Sequence, residues 1–221
     1  MPDPINLVLR LDARWCADGV EMIRLDDPPV VRAPRFGKAE AVWFICRSDR
    51  YRREIIRETI DLMDDPLVLR FVNAGDDDKL TVFLSRFGLP GGFIIGAPRP
   101  AEPRNFVLGR QRELRRLLLD AGSGDVATAT KAANRALRLS GRGDLSLRPD
   151  GRMALTVETL VDFMSIEVAM VAAYGTRVRS CERCGKLLLY GRRAGGRSTV
   201  KFCSDRCRLS VWRANQSSKG G

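Results

Sequence analysis

The sequence predicts an α+β fold for residues 1–174, here called the body, followed by a small cysteine-rich unit in residues 175–221, here called the finger. Strand-like apolar runs dominate the first 50 residues, and helical periodicity dominates from Val107 onward. Four of the six cysteines and nearly all of the net charge of +11 lie in the finger. With 221 residues and 44% hydrophobic residues, the chain can bury a core and accommodate one domain plus a small second unit.

The first half of the body alternates between strand-like and helical segments. Strands are predicted at 5–12, 20–27, 41–47 and 66–73. Helices are predicted at 48–63 and 80–87, where apolar residues recur at helical spacing and Gly88 ends the second helix. A loop rich in Gly and Pro at 88–104 is expected to connect the two halves of the body.

The second half of the body is mainly helical. A helix is predicted from Val107, and a second one, with a face of small residues, over 125–139. Two short strands follow in 144–156 around a Pro-Asp-Gly turn. The last body helix starts near Val157 and ends at Gly175. It is apolar on two faces, so we expect it to be buried on most sides.

The composition excludes several classes of function. The chain has no histidine, so it has no Ser-His-Asp or Cys-His catalytic site and no His-ligated metal. No nucleophile stands beside a base, and we expect a non-enzymatic protein, although residue types alone leave a carboxylate enzyme open. No secretory signal or membrane span is visible, which predicts a cytoplasmic protein without a membrane partner.

Four cysteines in the finger have the spacing of metal ligands. Cys181 and Cys184 form C-x2-C, 18 residues follow, and Cys203 and Cys207 form C-x3-C. Four thiolates predict one tetrahedral, structural Zn²⁺. Ser204 is the expected N-cap of a helix that carries Cys207, after a strand-like segment at 199–202.

Other interpretations of the cysteines stay open at this point. The four could be unrelated thiols, two disulfides, or a C-x-x-C redox motif with two further cysteines that take no part in it. Cys16 and Cys46 lie singly in the body, and we expect them to be small, half-buried side chains and not a redox pair.

The finger is strongly basic. It carries a formal charge of +10, and about +8 would remain with four thiolates and one Zn²⁺, which predicts a polyanionic partner. The alternative is a merely solvated basic face. We expect Trp212 to pack against the body, with stacking on a base as the alternative. The candidate nucleic-acid contacts are Arg192, Arg193, Arg197, Lys201, Arg206, Arg208 and Arg213.

These residues resemble a known family. The C-x-x-C-G segment, the linker with Arg192 and Arg193, and FCSDRCRLSVWR look like the C-terminal zinc finger of bacterial CGNR-type proteins. Residues 70–87 and the LRPDGRMAL turn add to the resemblance. It implies a finger of treble-clef type in a stress-induced transcription regulator. The chain departs from the family after Cys207, where Arg208-Leu209-Ser210 replace Gly-Asn-Arg, so no role is transferred from that motif.

The expected function is therefore DNA binding by a transcription regulator. The preference for DNA over RNA rests on the resemblance, since charge indicates nucleic acid only in general. The body is expected to be a sensor of a small-molecule effector or a homodimerisation unit. An RNA- or ribosome-associated protein is one alternative, and a protein-interaction module or a structural clasp on the body is another.

We predict one zinc ion per chain. The finger has too little apolar material for its own core, so the metal should contribute about 10 kcal/mol of apparent stability. Metal analysis of the purified full chain tests this, with chelator-treated protein as the control. A chain without stoichiometric metal and with four oxidised cysteines would contradict the prediction.

Overall fold

A computed structural model of the chain describes residues 7–24, 42–48, 51–59, 65–91, 99–141, 143–191 and 200–217. Helices and strands combine in an α+β fold, as predicted. The strands are β1 Leu7–Cys16, β2 Val20–Arg24, β3 Val42–Cys46, β4 Tyr51–Thr59, β5 Ala101–Pro103, β6 Gly143–Leu147, β7 Met153–Val157, β8 Arg177–Ser180 and β9 Leu187–Tyr190. The helices are α1 Leu67–Val72, α2 Asp77–Phe87, α3 Arg104–Ala121, α4 Val126–Leu139, α5 Leu160–Ala173 and α6 Asp205–Ser217.

A four-stranded mixed sheet in the order β4-β1-β7-β6 forms one layer of the body. β1 pairs with β4 antiparallel and with β7 parallel, so Leu7 lies opposite Met153 and Leu11 opposite Val157. β6 and β7 form the predicted hairpin. β1 is thus paired on one side with β7, a strand near the end of the body.

A smaller sheet in the order β2-β3-β5 lies next to the first, and a disulfide joins the two. It links Cys16 at the end of β1 to Cys46 at the end of β3, with 5.4 Å between their Cα atoms. The expectation of two separate, half-buried cysteines is wrong, because both side chains are buried and their sulfurs are joined. The turn at Gly19 reverses the chain after β1, and β2 then places Val20 opposite Cys46, which brings the two sulfurs together.

The main core surrounds α5. Every residue from Leu160 to Val171 is buried, which confirms the prediction of a helix covered on most sides. Thr159 caps its N-terminus by accepting a hydrogen bond from the backbone N–H of Asp162. Helices α1, α3 and α4 and strands β1 and β7 pack around it. The predicted helices at 80–87, from Val107 and at 125–139 are confirmed as α2, α3 and α4.

The segment predicted as a strand at 66–73 is the short helix α1, and a buried carboxylate explains the difference. Glu167 on α5 accepts hydrogen bonds from the backbone N–H groups of Leu67 (2.9 Å) and Val68 (2.7 Å). These are donors that the first turn of a helix cannot satisfy by itself. Pro66, the N-cap residue, supplies no side-chain cap. The cap thus comes from a residue about 100 positions away, and no local pattern could show it.

The helix predicted at 48–63 is also wrong, since Tyr51–Thr59 form β4. β4 pairs along most of β1, with an irregularity between Leu11 and Asp12. Pairing with a distant strand here outweighs local helical periodicity. Parts of the predictions at 5–12, 20–27, 41–47, 48–63 and 88–104 lie outside the described residues. Within the last of these, β5 and the start of α3 replace the predicted loop.

The buried carboxyl group of Glu167 should make stability depend on pH. Burial, opposed by the hydrogen bonds from Val68 and Leu67 and by the charge of Arg57, raises the pKa of Glu167 to about 8. The folded state therefore holds this proton more tightly than the unfolded state. The free energy of unfolding should therefore fall, by on the order of a few kcal/mol, as pH rises from about 5 to about 9.

Glu167→Gln mimics the protonated carboxyl group and should flatten this part of the pH dependence. Chemical unfolding of the full chain across this pH range measures it. Glu158→Gln, which changes an exposed glutamate close to the same helix, serves as the matched control. Equal pH slopes for wild type and Glu167→Gln would show that the prediction is wrong.

Candidate metal centre and basic finger

The first pair of cysteines lies in the loop of the hairpin that β8 and β9 form. The backbone N–H of Cys181 donates to the carbonyl of Lys186 (2.7 Å), and that of Gly185 donates to the carbonyl of Cys181 (3.0 Å). Gly185 has a φ of 71°, a conformation that favours glycine, so the tight turn requires this residue type. The turn holds Cys181 and Cys184 on the same side of the hairpin end.

The second pair lies at the start of α6. Ser204 accepts a hydrogen bond at its Oγ from the backbone N–H of Cys207 (3.3 Å), which confirms it as the N-cap residue. Residues 200–202 have no strand conformation, so that part of the predicted strand at 199–202 is wrong. A backbone hydrogen bond from Glu182 to the carbonyl of Lys201 (3.1 Å) joins the two halves of the site.

The four sulfur atoms form one cluster. The Sγ atoms of Cys181, Cys184, Cys203 and Cys207 all lie within 4.8 Å of one another. The Cys184–Cys203 and Cys203–Cys207 sulfurs are 3.4 Å and 3.5 Å apart. Ligands at about 2.3 Å around a tetrahedral ion lie about 3.8 Å from each other. The cluster therefore has the dimensions to hold a metal ion.

The electrostatics of the cluster favour a cation between the sulfurs. Burial raises the pKa of the Cys181 thiol, but the backbone N–H groups of Cys184, Cys203 and Arg183 outweigh this and lower it to about 6. Burial and the neighbouring thiols raise the pKa of Cys203 to about 12. One thiolate thus forms readily, while further negative charge is costly unless a metal ion compensates it.

The hairpin is docked on the body by its core residues and by one amide side chain. Val178 and Leu187 are buried within the main core. Asn73, which follows α1, donates to the carbonyl of Leu187 (2.9 Å) and accepts from its N–H (2.7 Å). Arg115 donates to the carbonyl of Gly185 in the cysteine loop (2.5 Å). Sequence analysis did not identify Asn73, since its partner is 114 residues away and has no side-chain signature.

The predicted nucleic-acid contacts differ in their ion pairs, and three of them lie outside the described residues. Arg206, Arg208 and Arg213 are exposed on α6. Arg208 pairs with Asp205 (3.0 Å), whereas Arg206 makes no ion pair with any other described residue. Lys201 is exposed and pairs with Glu182 (3.4 Å). Arg192, Arg193 and Arg197 lie outside the described residues.

Two apolar side chains are exposed on the same helix. Trp212 is 58% exposed and Leu209 is 43% exposed. The expectation that Trp212 packs against the body is therefore wrong. Cys207, Ser210 and Val211 form the less exposed side of α6, and Trp212 points away from that side. Arg183, in the cysteine loop between Cys181 and Cys184, donates a hydrogen bond to Ser210 (3.1 Å) and holds this inner side of α6.

Comparison of the chain with protein-family models and with curated proteins gives no match. Across the described ranges, no helix has an apolar stretch of the length that a bilayer crossing requires. The function must therefore be inferred from the residues of the site.

Replacing a ligand should abolish metal binding, whereas replacing the helix cap should not. We expect Cys203→Ser to lower metal affinity by more than about a hundredfold, since loss of an outer-shell partner alone costs up to that much. Ser204→Ala is the control. It should cost about 1 kcal/mol of helix stability and keep a stoichiometric ion. Competition with a chromophoric chelator measures both, and full affinity in Cys203→Ser would contradict the assignment.

Proposed function

We propose that the chain is a zinc-dependent DNA-binding protein that acts as a bacterial transcription regulator through its basic C-terminal finger. The finger is of treble-clef type in this proposal, because a cysteine-bearing hairpin loop and a helix N-terminus share one ion. Its resemblance to the CGNR-type zinc fingers supports the same assignment. The proposal gives the protein no catalytic role.

Zinc is the metal that this donor set favours. Four thiolates suit a soft or borderline ion with tetrahedral preference, and the separations of the sulfurs match that geometry. A site closed by four protein ligands has no open position for substrate, so its role is structural. In this site zinc would fix α6 against the hairpin through Cys203 and Cys207.

The observation that carries the DNA-binding proposal is the exposed side of α6. It presents Arg206, Arg208 and Arg213 together with Leu209 and Trp212, in a finger whose formal charge is +10. Arginine side chains bind phosphates and guanine edges, and a helix of this width fits the major groove. An exposed tryptophan among arginines has a physical use there, since it can stack or pack against nucleic acid.

The first measurement is binding of the zinc-loaded full chain to random duplex DNA at two salt concentrations. If about four phosphates are contacted, affinity should fall on the order of a hundredfold between about 0.05 and about 0.2 M salt. Arg206→Ala should weaken binding and lower the slope of log affinity against log salt by about 1. Fluorescence anisotropy of a labelled duplex measures both.

Arg138→Ala is the matched control, because it removes one exposed positive charge from α4 in the body. It should leave the salt slope unchanged. Equal losses of DNA affinity in Arg138→Ala and Arg206→Ala would mean that binding depends only on the net charge of the protein and not on the position of the arginine. Tighter binding to structured RNA than to any duplex DNA would favour the RNA-associated alternative.

A structural clasp is the second candidate, and the docking of the hairpin favours it. Val178 and Leu187 lie in the core of the body, and the Asn73 amide makes hydrogen bonds to both the N–H and the carbonyl of Leu187 on β9. A finger that only clasps the body would stabilise it without binding nucleic acid. In that case Cys203→Ser would lower the stability of the body, while replacing Arg206, Arg208 and Arg213 by alanine would change no binding property.

A further inference from the structure

A groove with a volume of about 590 Å³ lies between α4 and α5. Leu155 of β7 and the first residue of β8 complete its lining. The two helices contribute mainly small or apolar side chains to its walls, among them Ala129, Ala133 and Leu137 on α4 and Ala169, Met170 and Ala173 on α5. A groove of this volume and lining is typical of sites for small molecules.

The groove arises because α4 is apolar on two sides. Ala132 and Ala136 are buried in the main core. Val126 and Leu137 line the groove instead, and they are 80% and 47% exposed. Alanines on the facing sides of α4 and α5 leave the space between the helices unfilled. An apolar, concave surface that stays open to solvent is a feature of binding sites rather than of cores.

One positive charge stands where the groove meets the start of α4. Among the described residues that line the groove, only Asp125 and Arg177 are charged. The Arg177 guanidinium lies against Gly124, in the space that a side chain at that position would occupy. It makes no ion pair and no side-chain hydrogen bond with any other described residue. Its N–H groups are therefore free to bind a ligand.

The carboxylate of Asp125 is already engaged. It caps α4 by accepting a hydrogen bond from the backbone N–H of Thr128 (2.8 Å). This N–H and the positive end of the helix dipole compensate its negative charge. The groove thus combines apolar walls with one uncompensated positive charge, that of Arg177.

We propose that the groove binds an amphipathic monoanion, whose apolar part lies between α4 and α5 and whose carboxylate binds Arg177. A guanidinium group binds a carboxylate through two parallel hydrogen bonds, which suits this pairing. From Val126 to Leu137 the groove follows α4 over roughly 16 Å. This length accommodates the chain of a medium-length fatty acid such as decanoate.

Titration calorimetry with decanoate, below the concentration at which it forms micelles, tests the charge. Decanol is the uncharged analogue. The zinc-loaded full chain should bind one decanoate per chain, and decanol more weakly. Arg177→Gln should weaken decanoate binding roughly tenfold to a hundredfold and leave decanol binding unchanged. Arg138→Gln is the matched control, because it removes an exposed charge from α4 outside the groove and should change neither affinity.

Filling the groove tests its apolar part. Ala133→Phe should abolish binding of both decanoate and decanol, because the aromatic ring would occupy the space between the helices. Ala127→Phe is the matched control, since Ala127 is exposed on the same helix but does not line the groove. It should keep the wild-type affinities. Far-UV circular dichroism and thermal unfolding identify the variants that are folded.

Absence of decanoate binding to the wild type at millimolar concentration would overturn the proposal. Equal decanoate affinities of the wild type and Arg177→Gln would do so too. Binding that persists in a folded Ala133→Phe variant would place the ligand outside the groove. A wild-type dimer that Ala133→Phe dissociates, as measured by light scattering, would show that a second copy covers the groove, and this would also contradict the proposal.

Ligand binding to the groove does not depend on the proposed function, because it is measured without nucleic acid. Arg177 is the first residue of β8, so the ligand would contact the strand that leads into the cysteine loop. A chain that binds decanoate through Arg177 but binds no DNA would support the groove and contradict the DNA-binding proposal. A chain that binds DNA but no decanoate would do the reverse.

Discussion

The two hydrogen bonds that Glu167 accepts from the start of α1 are the interaction on which the arrangement of body and finger depends. α1 has six residues and no local side-chain cap, so it would not persist as an isolated helix. Glu167 holds its N-terminus, and Gln111 donates to the carbonyls of Phe71 (2.7 Å) and Ala74 (2.9 Å) at its other end. Asn73, which directly follows α1, then makes two hydrogen bonds to the backbone of Leu187 and so fixes β9 relative to α1. The central helix of the core is therefore connected through α1 to the hairpin that carries two of the four thiols.

Elements and site residues that are determined by contacts close in the chain could be predicted from the sequence. Those that are determined by contacts distant in the chain could not. The stripe of Leu80, Phe83, Leu84 and Phe87 is local, and α2 was predicted from it. The cysteine spacing is local within each pair, so the four candidate ligands could be identified without a structure. α1 and β4 were mispredicted because a carboxylate on α5 and a partner strand at the N-terminus decide their conformations. Asn73 was missed for the same reason, since its partners are backbone atoms.

The finger combines a thiol cluster and a basic surface on α6, and the two place different requirements on the sequence. The thiol cluster needs a particular geometry, and a glycine turn, a serine cap and backbone N–H groups supply it. The basic surface needs only exposure and charge, and α6 supplies both because its inner side is held by Cys207 and Ser210. A metal ion would thus have an indirect effect on any partner of α6. It would contact none of the arginines, yet it would determine the direction in which they point.

The parallel pairing of β1 with β7 has a consequence for the newly made chain. During synthesis β1 leaves the ribosome well before β7, the strand that completes its pairing, because α3 and α4 lie between them in the chain. α5, which fills the core, follows later still. One side of β1 stays without its native partner while most of the body is being translated, so the body cannot close gradually from its N-terminus. Ribosome-bound chains that end before β7 should be the most vulnerable to proteases and the most dependent on chaperones.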